Sequence, residues 1–188
     1  MKLMKQRLKL SSVMMVVISC AIACADSRHK NEENFKESEV TTSIAKSVQE
    51  TQGDKTLEIA NAFMAAMGKG DMEAMKSLMH EDMVWQNAGD SSLPWIGPWE
   101  GKKAILEDFF PVFGKNFVTK KWETTDAFAS GDTAAYFGQM IGLLTNSNKE
   151  TEEFTYALRV KVKDDKIILW NWFEDSYEVS KVYHATKN

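Results

Sequence analysis

Four runs rich in aromatic and β-branched residues, 117–129, 133–145, 152–163 and 166–177, follow one another with only short segments between them. The dividers are Ser130-Gly131-Asp132, Asn146-Ser147-Asn148 and Asp164-Asp165, residue types that favour tight reversals because they tolerate turn conformations and bond their own backbone. Strands separated so briefly pair antiparallel, and the last two form a hairpin. Ahead of them the period changes. Leu57, Ala60, Phe63, Met64 and Met67 recur at three- and four-residue spacing, which places them along one helical face, with Asp54 as N-cap and Gly68 or Gly70 as the stop. Asp71 caps a second, shorter helix over 72–79, a short strand covers 83–87, and turn residues fill 87–92. A third helix begins near Lys102 and runs through Ala104, Ile105, Phe109 and Phe110, with Pro111 bending or ending it. Helices first and a β-meander afterwards is an α+β arrangement around one core. Eleven methionines, several on the first two helices, read as adaptable core filling.

The N-terminus has a different character. Lys2, Lys5, Arg7 and Lys9 precede an apolar stretch over 10–25, the form of a secretory signal. That stretch falls short of the roughly 20 residues a spanning helix needs. Both cysteines, Cys20 and Cys24, lie at its end, so no disulfide framework is available to the remainder. Val17-Ile18-Ser19-Cys20 resembles a bacterial lipobox, and Ala21-Ile22-Ala23-Cys24 is a second match. The expectation is an exported, membrane-anchored lipoprotein of the cell envelope, with a soluble periplasmic or secreted protein and an uncleaved anchor as alternatives. The chain thus divides into a signal peptide (1–24) carrying the lipidated cysteine, a polar tether (25–54), a folded domain (55–180) and a tail (181–188). Removing the leader leaves 19 Lys+Arg against 27 Asp+Glu, a net charge near −8, which excludes a basic nucleic-acid footprint.

Four segments together, in order and spacing, resemble SnoaL-like domains of the nuclear-transport-factor-2-like superfamily. They are Gly70-Asp71-Met72-Glu73-Ala74, His80-Glu81-Asp82-Met83-Val84-Trp85, the run from Gly97-Pro98-Trp99 to Ala104-Ile105 leading into Phe109-Phe110, and Lys166-Ile167-Ile168-Leu169-Trp170-Asn171-Trp172-Phe173-Glu174-Asp175. The resemblance implies a strongly curved antiparallel sheet wrapped around the N-terminal helices as a cone, with a ligand pocket at its wide end. It does not fix a reaction, since such folds include isomerases, cyclases, epoxide hydrolases, dehydratases, transport adaptors and inactive subunits. The position where ketosteroid-isomerase relatives carry their carboxylate base matches Asn87, which takes no proton near neutral pH unless Asp90 reaches in from the next loop. Their oxyanion donors match Phe63 and Ala157 or Leu158. Base and oxyanion donors of that type are therefore missing. SnoaL-like relatives carry an acid at the end of the terminal strand, which points to Glu174 and Asp175; strand alternation sends only one inward, and the family register favours Asp175. A homodimer is a further implication.

Residue chemistry adds a pocket lining. Phe63, Trp85, Phe109, Phe113, Tyr136 and Trp170, beside the polar Gln86, Asn87 and Asn171, would suit a small, largely apolar molecule bearing an oxygen function. A carboxylate walled by Trp170, Trp172 and Phe173 would be desolvated toward a useful pKa. His80 sits near a helix end, where the dipole favours it. His29 and His184 lie in the tether and tail, so no metal set is expected, and neither a phosphate-cradling loop nor a Ser or Cys nucleophile motif points to a cofactor. Three functions remain: a binding module for a small apolar molecule, an acid/base enzyme of the cyclase, dehydratase or hydrolase kind, and a dimeric scaffold.

Overall fold

The computed structural model describes residues 28–185; the leader with Cys20 and Cys24 lies outside them. Residues 41–188 form a compact unit that carries the sheet. The elements of the described residues are α1 (Arg28–Lys69), α2 (Met72–Leu78), β1 (Met79–Asn87), β2 (Gly97–Glu100), α3 (Lys102–Ala104), one π turn (Ile105–Phe109), α4 (Phe110–Asn116), β3 (Phe117–Ser130), β4 (Thr133–Leu144), β5 (Lys149–Glu150), β6 (Phe154–Lys163), β7 (Lys166–Glu174) and α5 (Ser176–Tyr183).

The docked part of α1 buries Gly53, Thr56, Ile59, Ala60, Phe63 and Ala66, a stripe at helical spacing. Two polar contacts fix its height on the sheet. Thr56 Oγ1 donates to the carbonyl of Gly131 (2.8 Å), and Gln49 Nε2 donates to Ser130 Oγ (2.7 Å). The helix starts at Arg28 instead of at Asp54, inside the segment expected as a tether. Between residues 28 and 69 the sequence has no proline and only Gly53 and Gly68, so little interrupts a helix propagating back from its packed turns. Its end is as expected: Gly70 adopts φ +68 and the Asp71 N–H returns to the Ala66 carbonyl (2.9 Å). Asp71 then caps α2 by accepting from Ala74 N (3.0 Å).

The sheet runs β2-β1-β7-β6-β4-β3, with β5 on β4. Every pairing is antiparallel except β1 with β7, which is parallel, so the expected antiparallel sheet holds for the meander and fails at that junction. The β6–β7 hairpin turns through Asp164 and Asp165 at φ 50 and 59, the left-handed pair of a tight hairpin. Curvature is localised. β3 slips register between Thr119 and Lys121 and again between Thr124 and Asp126, opposite Gly142 and Gly138 of β4. A Cβ on Gly138 would lie 1.9 Å from the Glu123 carbonyl oxygen, and one on Gly142 2.0 Å from the Phe117 ring, so only glycine permits this approach. The bend brings Trp122 of β3 to 5.5 Å from Trp172 of β7, across the two intervening strands. That is a sheet curled on itself, the expected cone.

Pro111 does not end the third helix. It falls in the first turn of α4, where a missing N–H is tolerated, and the π turn before it carries the chain past. The terminal strand stops at Glu174 instead of Tyr177, because Asp175 accepts from Glu178 N (3.3 Å) and starts α5. Val179 and Val182 of α5 are buried, so the expected tail is part of the fold through Tyr183.

Gly138→Ala should lower unfolding stability by about 2 kcal/mol or more through forced backbone displacement. Gly114→Ala, where a Cβ meets nothing within 4 Å, should be neutral or stabilising by about 0.5 kcal/mol. Urea midpoints measure both, and a Gly138→Ala chain of undiminished stability would contradict the close strand approach.

Candidate functional site

Inside the curled sheet lies an open cavity of about 760 Å³. Its walls come from α1 and α2 (Asn61, Met64, Met67, Met72, Met75), β1 (Trp85, Asn87), the β1–β2 loop (Trp95), the π turn and α4 (Phe109, Phe110, Phe113), β3 (Thr119, Trp122, Thr124), β4 (Met140) and β7 (Trp170, Trp172, Glu174). Strand alternation explains the β contribution: residues 85 and 87, and 170, 172 and 174, share one face. The π turn explains another part, since one wide turn presents both Phe109 and Phe110 to the interior.

One wall is a continuous aromatic surface. Trp85 stacks on Trp170 at 5.1 Å and packs against Phe109 at 4.8 Å, while Phe63 supports Trp170 from behind at 5.2 Å. Phe109, Phe113 and Phe117 stack in sequence at 5.6 and 5.1 Å. Asn87 is buried and doubly held: Oδ1 accepts from Trp85 Nε1 (3.0 Å) and Nδ2 donates to the Trp95 carbonyl (3.4 Å). It fixes the ring that lines the cavity.

The opposite end carries polar groups. Trp172 stacks on Tyr156 at 4.6 Å, Trp122 Nε1 donates to Tyr156 Oη (2.7 Å), and Thr124 Oγ1 shares the same hydroxyl at 2.7 Å. Glu174, the one ionisable residue among the described lining, accepts from Trp172 Nε1 at 2.7 Å. Burial pushes its carboxyl up to about 7, against the Trp172 bond that lowers it and with the neighbouring Asp175 charge that raises it further. A carboxyl there can give or take a proton near neutral pH.

Several sequence expectations are revised by position. Asp175 points away from the cavity, exposed and committed to capping α5, so Glu174 is the carboxyl that faces inward. Gln86 and Asn171, cross-strand partners, lie on the outer face, and the Asn171 Oδ1 is buried there without a partner. Phe63 and Tyr136 are buried in the core behind the lining; the Tyr136 hydroxyl donates to Asn61 Oδ1 (3.1 Å) and burial pushes its pKa up to about 12. Trp85, Asn87, Phe109, Phe113 and Trp170 line the cavity. Asp90 does not reach in. It accepts from Ser180 Oγ and from the Ser92 N–H (2.9 Å) and hydroxyl (2.7 Å), bonds that hold its pKa at about 2, while Ser92 Oγ meets His184 Nε2 at 2.8 Å. The loop acid therefore does not replace the missing base at Asn87. Met64, Met67, Met72, Met75 and Met140 belong to the cavity wall, beyond the core-filling role expected of methionine. Among the described residues no group of three His, Cys, Asp or Glu is placed to hold a metal.

The SnoaL-like domain family matches residues 60–170. No curated protein matches the chain. Similar solved structures include an NTF2-like protein from Burkholderia xenovorans LB400, with 20% identity over 70% of this chain and 98% of that one at TM-score 0.64. TerC, co-crystallized with polyporic acid, aligns at TM-score 0.60 with 16% identity over 70% and 99% of the two chains. An LEH-like epoxide hydrolase of M. tuberculosis aligns at TM-score 0.53, with 16% identity over 70% and 90%. At these identities the likeness establishes the fold.

Glu174 makes stability pH-dependent with a definite sign. Its folded-state pKa of about 7 exceeds the ordinary 4.5, so the folded chain binds the extra proton. This contribution is fully present below about pH 4.5 and is lost as pH rises through 7, a decline of order 3 kcal/mol. Glu174→Gln should flatten that decline in urea titrations between pH 5 and 8. Parallel curves for the two chains would contradict a buried carboxyl.

Proposed function

Because the chain belongs to the SnoaL-like domain family, we propose that it is an exported binding protein that holds a small, largely apolar molecule in its conical cavity. The observation that carries this reading is the lining: an open space of about 760 Å³ walled by tryptophan, phenylalanine and methionine, with a single ionisable side chain among its described residues. Methionine and stacked aromatic rings give a large contact area with few directional demands. TerC was crystallised with polyporic acid, whereas the described lining here holds no lysine, arginine or histidine. Export and lipidation at Cys20 or Cys24 rest on the leader, and among the described residues no helix is long and apolar enough to cross a membrane.

Glu174 favours a second reading, an acid/base enzyme of the cyclase, dehydratase or hydrolase type, because a carboxyl that titrates near neutrality faces the same cavity. It would move the proton. Among the described lining residues no second ionisable group accompanies it, and Asn87 is committed to Trp85 and Trp95.

Self-association is the third reading, and an apolar row on the outer sheet face supports it. Phe137, Ala157 and Phe173 lie side by side on β4, β6 and β7, and Phe128 stacks on Phe137 at 5.9 Å. Phe128, Phe137 and Phe173 remain 58, 42 and 45% exposed. Acids of β3 (Glu123, Asp126) and bases of β6 (Arg159, Lys161) share that face with the row.

Nile red, a neutral apolar dye, should bind at one site per chain, and Trp85→Ala should weaken it about tenfold while the far-ultraviolet circular dichroism stays native. A folded chain that takes up no dye would overturn the binding reading. Sedimentation velocity should show a dimer that Phe137→Asp converts to monomer; a wild-type monomer at high concentration removes the third reading.

A further inference from the structure

The cavity has an uneven distribution of charge. Every described lining residue is apolar or neutral polar except Glu174, and none is cationic. The carboxyl is set beside tryptophan rings: Trp172 lies two residues earlier on the same strand face, and Trp122 approaches Trp172 at 5.5 Å from the far side of the curl. Only Oε2 is engaged, by Trp172 Nε1; Glu174 Oε1 makes no hydrogen bond among the described residues. The charged neighbour that acts on Glu174 is Asp175, also an acid, and its cross-strand partner is Tyr156, whose hydroxyl is already bonded to Trp122 and Thr124.

Two physical consequences follow. An anionic ligand entering this space would be desolvated with no positive side chain among the described lining to receive it and with a carboxylate ahead of it. An organic ammonium would find the reverse: aromatic faces attract a cation through their quadrupole, and an unengaged carboxylate oxygen accepts its N–H. Aromatic walls around one carboxylate are the arrangement that selects hydrophobic amines.

Resting on the reading of the cavity as a binding site, we propose that its ligand is a hydrophobic amine, bound as the ammonium by Glu174 with Trp122 and Trp172 as its aromatic flank. The proton balance is simple. The amine enters protonated or takes the proton of the Glu174 carboxyl, and the pair sits in the cavity as ammonium and carboxylate.

Calorimetry on the full chain with three probes that share a naphthalene ring, naphthylmethylamine, naphthylmethanol and naphthoate, tests this directly. The amine should bind about tenfold more tightly than the alcohol, and the carboxylate should give no measurable heat. Glu174→Gln should erase the preference of amine over alcohol while the alcohol still binds. Trp122→Leu, which leaves the carboxyl in place, should weaken the amine more than the alcohol, and this variant decides the matter if Glu174→Gln does not fold. Alcohol binding equal to or tighter than amine binding overturns the inference and leaves the apolar cavity standing. If none of the three binds, the cavity reading itself falls and the inference falls with it.

Discussion

At Gly138 and Gly142, β3 passes so close to β4 that no side chain fits between them, and the curl of the sheet depends on that approach. The two bulges in β3 opposite these glycines absorb the extra backbone and turn the strand back over the others. A flatter sheet would pack directly on α1 as two layers and leave nothing inside. The curl instead carries Trp122 to within ring contact of Trp172, so a space remains enclosed between the strands, α1, α2 and α4. Helix docking respects the same geometry. Gly53 of α1 comes close to the Ala129 carbonyl, where a Cβ would stand at 3.1 Å, and Thr56 ties the helix to the β3–β4 turn.

Given that space, the aromatic residues divide into supports and lining. Phe63 and Tyr136 are buried behind the wall, whereas Trp85, Trp170 and Phe109 present rings to it. Asn87 is a positioning residue, because both ends of its amide are spent on Trp85 and Trp95. The cost of building such an apolar interior appears at Glu174, whose carboxyl loses water and receives one indole N–H in return. A binding site and a proton-transfer site would both use that same imbalance.

Much of this was legible in the sequence because it rests on short-range rules. The meander follows from four β-rich runs and their turn residues, the α1 stop from Gly70, and the α2 start from Asp71. The site was half legible. Trp85, Asn87, Phe109, Phe113 and Trp170 were recognisable, yet Gln86 and Asn171 were grouped with them although alternation puts them on the other face. The same parity, 170, 172, 174, selects Glu174 over Asp175 without any structure. Asp175 and Glu178 stand at capping-box spacing, a signal for α5 that the strand-rich context obscured. Other features depend on distant parts of the chain. The parallel β1–β7 pairing, the β2 and β5 strands and the methionine wall arise from which elements meet in space, and no local pattern encodes them.

Binding and proton transfer alike require that the Glu174 carboxyl face the aromatic cavity out of bulk water. A carbon-13 NMR titration of its side-chain carboxyl measures that environment at the atom concerned. A midpoint near 7 is expected; a midpoint near 4.5 would mean that the carboxyl stands in water and that the cavity does not shield it.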